Sequence, residues 1–257
     1  MTIIDINCDL AEREDLAESI QAPLMEHITS ANVACGAHAG SAALMRLTLR
    51  QARLHGVAVG AHPGYPDREN FGRLDLEMPP GDLEASVEAQ VRSLAQLAKE
   101  VGVSVQYVKP HGALYNRAAW DLEIARVIAR AVKRVSGELA LVGLAGSPAL
   151  AVWKDAGIPT IAEAFADRRY NADGSLRARR HADALLQDPE AAATQALGIA
   201  TRQEVAAGDG SSVKIEAETL CIHGDTPGAV AIARCVRKRL EDAGVTVQPW
   251  HFRVGLG

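Results

Sequence analysis

Short apolar runs alternate along the chain with longer runs in which apolar residues recur every three or four positions. Thr2–Cys8 predicts a first strand, Ser30–Cys35 a second and Val57–Ala61 a third. Val105–Val108, Leu139–Leu144, Pro159–Ala164 and Thr219–Ile222 continue the series. Each is short and apolar, the pattern of strands buried on both faces of a parallel sheet. Between them, Leu83, Val87, Val91, Leu94, Ala98 and Val101 trace one helical face that stops at Gly102. Ile124, Ile128, Val132 and Val135 do the same before Gly137, and Ile232, Val236, Leu240 and Ala243 before Gly244. Ser41 is placed to cap a helix running to His55, and Gly56 to end it. The pattern predicts seven βα units and a weak last strand at Val245–Gln248.

Repeated βαβ connections imply a parallel sheet with right-handed crossovers. No GxGxxG follows the first strand, which removes the simplest dinucleotide-binding open sheet. Polar motifs follow many different strands, so a closed or nearly closed α/β barrel is expected, as one domain over residues 1–257. Two connections break the alternation. Phe165–Asp188 is polar and Arg-rich around the turn signal Asn171-Ala172-Asp173-Gly174, and Pro63–Gly81 is rich in Pro and Gly. A long loop of the first kind often serves as a lid or binding loop.

Composition narrows the function. The 257 residues are 48% apolar and 23% charged, as in a globular protein, with a formal charge of −5 that offers no attraction for nucleic acid or an anionic membrane. Arg177, Arg179 and Arg180 form the densest basic patch and read as a solvated loop. Met1–Asp9 carries Asp5 and Asp9 and has no basic n-region, so no signal peptide is expected there. No apolar run reaches the ~20 residues of a membrane helix, and a cytoplasmic location follows by default. Cys8, Cys35, Cys221 and Cys235 form no CxxC pair; the first three are expected as buried small hydrophobes.

The chemistry collects at predicted strand ends. The motifs are Asn7-Cys8-Asp9, Cys35-Gly36-Ala37-His38-Ala39-Gly40, Gly60-Ala61-His62-Pro63-Gly64-Tyr65-Pro66-Asp67, Lys109-Pro110-His111-Gly112-Ala113-Leu114-Tyr115, Glu163-Ala164-Phe165-Ala166-Asp167-Arg168 and His223-Gly224-Asp225-Thr226-Pro227. In an α/β barrel these ends face one side, so distant residues converge. Four of the eight histidines, His38, His62, His111 and His223, follow a strand and stand just before glycine, Ala-Gly or Pro-Gly. That repetition points to a shared site, whereas His27, His55, His181 and His251 read as surface or structural residues. A carboxylate at Asp9 needs a cation or donors nearby if buried. Lys109 suits developing negative charge or an anionic substrate, and Arg168 suits a carboxylate. Asp9, His38 and His62 are the natural trio for a metal, although HExxH is absent. Walker A and GxSxG patterns are absent too, and Gly208-Asp209-Gly210-Ser211-Ser212 reads as a turn.

Taken together, the chain resembles the LamB/YcsF family nearly end to end. The most specific stretches are Thr29-Ser30-Ala31-Asn32-Val33-Ala34-Cys35-Gly36, Ala61–Asp67, Val108–Tyr115, Glu163–Arg168 and His223–Ala229. The resemblance implies an irregular seven-stranded parallel β/α barrel, similar to the glycoside hydrolase/deacetylase group. It implies ATP-dependent cleavage of 5-oxoproline to L-glutamate together with two partner subunits, B and C, with ATP not held by a Walker motif of this chain. The chain departs from the family after its first strand. Where the family has D-L-G-E-G-F-G, Asp9 and Glu12 are kept but Ala11, Arg13 and Asp15 replace glycines and Glu14 an aromatic. Ala37 and Ser41 replace an aromatic and an acid, and Asn70 replaces a glycine.

The sites expected on this basis are Asp9, His38, His62, Lys109 and His111 as catalytic residues, with Asp9 the first choice of base. Asn7, Glu12, Asn32, Tyr115, Glu163, Asp167, Arg168, His223 and Asp225 are expected to bind substrate. Phosphorylation of the lactam oxygen, attack of an activated water at the ring carbonyl carbon and protonation of the leaving nitrogen make up the expected reaction. Two other readings stay open: a stand-alone metal-dependent hydrolase or deacetylase, and a non-catalytic binding subunit. Each of the three is compatible with a homo-oligomer.

Overall fold

The computed structural model describes residues 2–250; Met1 and residues 251–257, His251 among them, lie outside the described residues. The strands, in chain order, are β1 (Ile3–Leu10), β2 (Ser30–Ala34), β3 (Ala58–His62), β4 (Val105–Val108), β5 (Ala140–Leu144) and β6 (Thr160–Phe165). They are followed by β7 (Glu204–Ala206), β8 (Ser212–Lys214), β9 (Thr219–His223) and β10 (Thr246–Val247). Strands β1 to β6 and then β9 pair in parallel, and β9 pairs back onto β1, so seven strands close a barrel. β10 adds to the lower end of β1, at Ile3 and Ile4, outside the ring. β7 and β8 form a separate antiparallel hairpin with Gly208–Ser211 in its turn; the Asp209 carboxylate accepts from the Ser211 amide and hydroxyl.

The predicted helices form with their predicted ends. Ala42–His55 starts at Ser41, whose hydroxyl accepts from the Leu44 amide, and ends at Gly56 with φ 67°. Pro80–Val101, Leu122–Val135 and Ala229–Asp242 follow the apolar steps read from the sequence. Gly112–Trp120, Pro148–Asp155 and Pro189–Arg202 are further helices between strands. One expected unit is missing: β1 is followed only by short helical turns at Glu14–Leu16, Ala17–Gln21 and Ala22–Leu24. No amphipathic run is available there, and Pro23 interrupts the stretch. Among the described residues no helix is long and apolar enough to cross a membrane.

The strands are not apolar on both faces. On β1, Ile4, Ile6, Cys8 and Leu10 join the core between strands and helices, while Asp5, Asn7 and Asp9 alternate with them. These three reach across the lumen. Asp5 accepts from Thr29, Ser30 and Thr219, and Asn7 donates to Glu163 of β6 at 2.9 Å. The barrel is therefore filled by hydrogen-bonded polar residues, with a small apolar cluster of Tyr107, Ala140, Val142 and Ile161 apart from the main core. Gly60 makes this possible: a Cβ there would stand 2.0 Å from the Tyr107 ring, which crosses above it to Asn32.

Candidate active site

Parallel register sets the site's floor. Asp9 pairs with Asn32 of β2 on one side and with His223 of β9 on the other, so all three stand at one level. Lys109, just past β4, spans the lumen to them. Its ammonium lies 2.9 Å from Asp9 Oδ1, 2.9 Å from Glu163 Oε1 and 3.3 Å from Asn7 Oδ1, and donates to Cys221 Sγ at 3.1 Å. Asn32 Nδ2 donates to both Asp9 Oδ1 and Asn7 Oδ1 at 2.7 Å, and the Tyr107 hydroxyl donates to Asn32 Oδ1 at 2.7 Å. Burial alone would raise the Asp9 carboxyl, but His62 and Lys109 outweigh it and hold it well below the ordinary carboxylate range. Burial works against the Lys109 ammonium too, and Asp9 and Glu163 overcome it, so this lysine stays charged.

Above this floor three imidazoles pack together. His38 and His111 stack with ring centroids 3.8 Å apart, and His62 stands edge-on to both. His62 Nδ1 lies 2.7 Å from the Lys109 carbonyl oxygen, and His111 Nε2 lies 2.9 Å from the Phe71 carbonyl oxygen. Gly72 is required here: its φ is 64°, and a Cβ would stand 2.8 Å from His38 Cβ and 3.0 Å from His111 Cδ2. Glu12 reaches the same cluster from the altered loop after β1. Its Oε1 is 3.3 Å from His111 Nδ1 and 3.7 Å from His38 Nε2. Burial pushes the Glu12 carboxyl up, but His111 and His38 pull it below its usual range. Burial also lowers His38, to about 4, and lowers His111.

A cavity of about 370 Å³ opens over Asp9, His62, Lys109, His111 and His223. Its far wall is cationic. Arg168 is 6% exposed, yet among the described residues its Nε has no hydrogen-bond partner, while its Nη2 donates to the Arg177 carbonyl. Burial and nearby Arg179 lower its pKa to about 10. Arg73 and Arg179 line the same wall, at 2.5 Å and 3.9 Å from the Asp225 carboxylate. His223 is held by Asp167, which accepts its amide at 2.9 Å and lies 3.0 Å from Nδ1; Nε2 is left as the ring atom for the cavity. Burial opposes the Asp167 charge, but His223 and Thr226 bring its pKa down to about 2. Among the described residues the Tyr115 hydroxyl and Glu163 Oε2 are buried without hydrogen-bond partners, and burial with Glu163 beside it pushes the Tyr115 phenol well up.

The structure thus brings the expected residues together in tiers. Asp9, His62, Lys109, His111, Tyr115, Arg168 and His223 line the cavity. Asn7, Asn32 and Glu163 lie beneath and position Lys109 and Asp9, and Asp167 stands behind His223. His38 is a step back, stacked on His111. Asp225 is tied to Arg73 and Arg179 at the rim. Of the metal trio, Asp9 and His62 are joined by Glu12 and His111; these four bring one ligand atom each within 4.8 Å of one another, and His38 is outside the set. Arg179 is not a solvated loop residue as its basic patch suggested, because the Phe165–Asp188 segment folds back over the mouth. Arg73, Arg179, Phe71 and Cys221 were not singled out as site residues. Their only signal was membership in the two long connections, or, for Cys221, a place two residues before His223. His27 is half-buried, and His55 and His181 are exposed, as expected. Ala11, at a family glycine position, has φ 60°.

The LamB/YcsF family model matches residues 4–254. A protein of Chloroflexus aggregans, named as the A subunit of 5-oxoprolinase, is 50% identical over 249 residues, covering 96% of this chain and 99% of that one. Its namesake from Chloroflexus aurantiacus is 51% identical, covering 96% and 98%. The crystal structure of the lactam utilization protein from Thermus thermophilus superposes with a TM-score of 0.89 at 41% identity, covering 96% of this chain and 99% of that one.

Proposed function

The chain belongs to the LamB/YcsF family, and from that premise we propose that it is the A subunit of an ATP-dependent 5-oxoprolinase, opening the lactam ring of 5-oxo-L-proline to give L-glutamate. Half identity along nearly the whole chain to two proteins of that name carries the reading. The site supports it. The cavity suits a small ligand: Asp9, His62 and His111 line it together with the cationic Arg168 and Arg179, and Glu12 lies against the two histidines. A ring amide is stable, so the expected order is phosphorylation of the lactam oxygen by ATP, water attack at the carbonyl carbon, departure of the nitrogen with a proton to leave an acyl phosphate, and hydrolysis of that acyl phosphate by a second water to give L-glutamate and inorganic phosphate. The arginines hold the substrate carboxylate or phosphate, with the Lys109 ammonium neutralising charge that develops on the oxygen of the reacting carbonyl. His223, oriented by Asp167, delivers the proton from Nε2. Asp9 is held so far below the ordinary carboxylate range that it is a weak base; its part is to fix Lys109 and His62.

In this reading ATP is consumed by a cytoplasmic complex with partner subunits B and C, and the isolated chain does not turn over. The test is glutamate release from 5-oxoproline and ATP with the three subunits together and each omitted in turn. Release that does not depend on this chain refutes the reading.

A further inference from the structure

Four lone-pair atoms converge between His62, His111, Asp9 and Glu12 with no protein hydrogen among them. A carbonyl oxygen only accepts, so His62 Nδ1 at the Lys109 carbonyl and His111 Nε2 at the Phe71 carbonyl each carry the ring N–H. In a neutral imidazole the opposite nitrogen is then a lone pair. Those opposite nitrogens, His62 Nε2 and His111 Nδ1, face each other at 3.0 Å. A hydrogen bond between them requires one ring to give up its carbonyl or to take a second proton. Asp9 Oδ2 is 3.4 Å from His62 Nε2, and Glu12 Oε1 is 3.3 Å from His111 Nδ1 and 4.0 Å from His62 Nε2. The Glu12 side chain is only 7% exposed, and its Oε1 has no hydrogen-bond partner among the described residues. Such a set repels itself unless a cation stands at its centre.

We propose that Asp9, Glu12, His62 and His111 bind one divalent transition-metal ion of the zinc or manganese class. Ligands on a tetrahedral ion with bonds of ~2.1 Å stand about 3.4 Å apart, and the separations above scatter around that value. Two imidazoles and two carboxylates suit such an ion better than calcium or magnesium, which prefer all-oxygen sites, or copper(I), which prefers sulfur. The outer contacts are those of a metal site. Both rings are fixed by carbonyls, and the other Asp9 oxygen is held by Lys109 and Asn32. A second group, Asp9, Cys221 and His223, also comes within reach of a metal. There the Cys221 sulfur accepts from Lys109, and the His223 Nδ1 is taken by Asp167. When bound, the ion supplies Lewis acidity beside the cavity floor.

The inference stands on donor geometry and not on the choice of substrate, so the metal measurement and the glutamate assay fail independently. Full-length protein is stripped with a chelator, its metal content checked by mass spectrometry, and then titrated with Zn²⁺ against a chromophoric chelator and with Co²⁺ by visible absorption. One equivalent per chain is expected, with a four-coordinate Co²⁺ spectrum and a raised thermal midpoint. Glu12→Gln and His111→Gln should each weaken binding at least ~10-fold, the scale on which even outer contacts act, while Cys221→Ser should not. Circular dichroism checks folding, and either of the two ligand variants suffices if the other fails to fold. Absence of binding to the wild-type chain overturns the proposal and leaves a shared proton between His62 and His111. Binding unchanged in both ligand variants, or lost in Cys221→Ser, overturns it as well.

Discussion

Replacing Lys109 by Met keeps the length of the side chain and removes its charge. The ammonium stands 2.9 Å from Asp9 and 2.9 Å from Glu163, and all three side chains are nearly or fully buried. Taking one partner from such a cluster leaves buried carboxylate charge uncompensated, a loss of about 3–5 kcal/mol. In a chain of this size that is a fall of roughly 10 °C in melting temperature. The penalty should depend on pH, and the sign follows from Asp9. With Lys109 present, its carboxyl is held well below the ordinary range. Without Lys109 one of its two main counter-charges is gone, and the carboxyl moves back up toward its unfolded value of about 3.9. The stability that the depressed carboxyl gives the wild type is present above that value and is lost as pH falls below it, so the variant's deficit shrinks in acid. Denaturant unfolding of both proteins at pH 3 and pH 7 measures this. The deficit of Lys109→Met should be larger at pH 7. A deficit equal at both pH values, or no deficit, would refute the idea that Lys109 acts as a counter-charge.

Other outcomes follow from neighbouring features. Asp9→Asn in the reconstituted complex should lose ~10–100-fold in turnover while remaining folded, the scale on which groups that orient a site's residues act, because Asp9 fixes Lys109 and His62; near wild-type glutamate release would show that neither depends on it. Arg168→Gln should raise KM with little change in kcat, since it removes binding made before the chemical step; a fall in kcat alone would contradict that. Ala11 sits at φ 60° with its amide bonded to Gln21, so Ala11→Gly should stabilise the fold by about 1 kcal/mol in urea unfolding. His38 is neutral in the fold down to about pH 4, against an ordinary value of 6.5. Between those values the unfolded chain binds the extra proton, so stability is lost as pH falls through this window, by up to ~3 kcal/mol. His38→Phe should flatten that part of the curve.

Much of the fold was legible because its signals are local. Ser41, Gly56, Gly102 and the three-and-four spacing of Leu83 to Val101 act within a few residues, and the helices end where these residues direct. The strand centres were legible for the same reason, as was the repeated placement of histidine before glycine. The polar side of β1 was harder to interpret. Asp5, Asn7 and Asp9 alternate with Ile4, Ile6 and Cys8, but nothing in one strand says that the face opposite the helices is filled by hydrogen-bonded polar groups instead of aliphatic side chains.

The sequence by itself determined which residues stand at strand ends and what chemistry they carry. Only the tertiary structure decided who meets whom. Barrel closure brings β9 beside β1 and sets His223 level with Asp9. The long Phe165–Asp188 connection turns Arg179 from a surface charge into part of the cavity wall. Glu12, in the loop that departs most from the family pattern, displaces His38 from the donor set because its carboxylate reaches the open side of His62 and His111. These pairings depend on register and on loops crossing tens of residues, where the energy lies in contacts between distant segments and no local propensity records it.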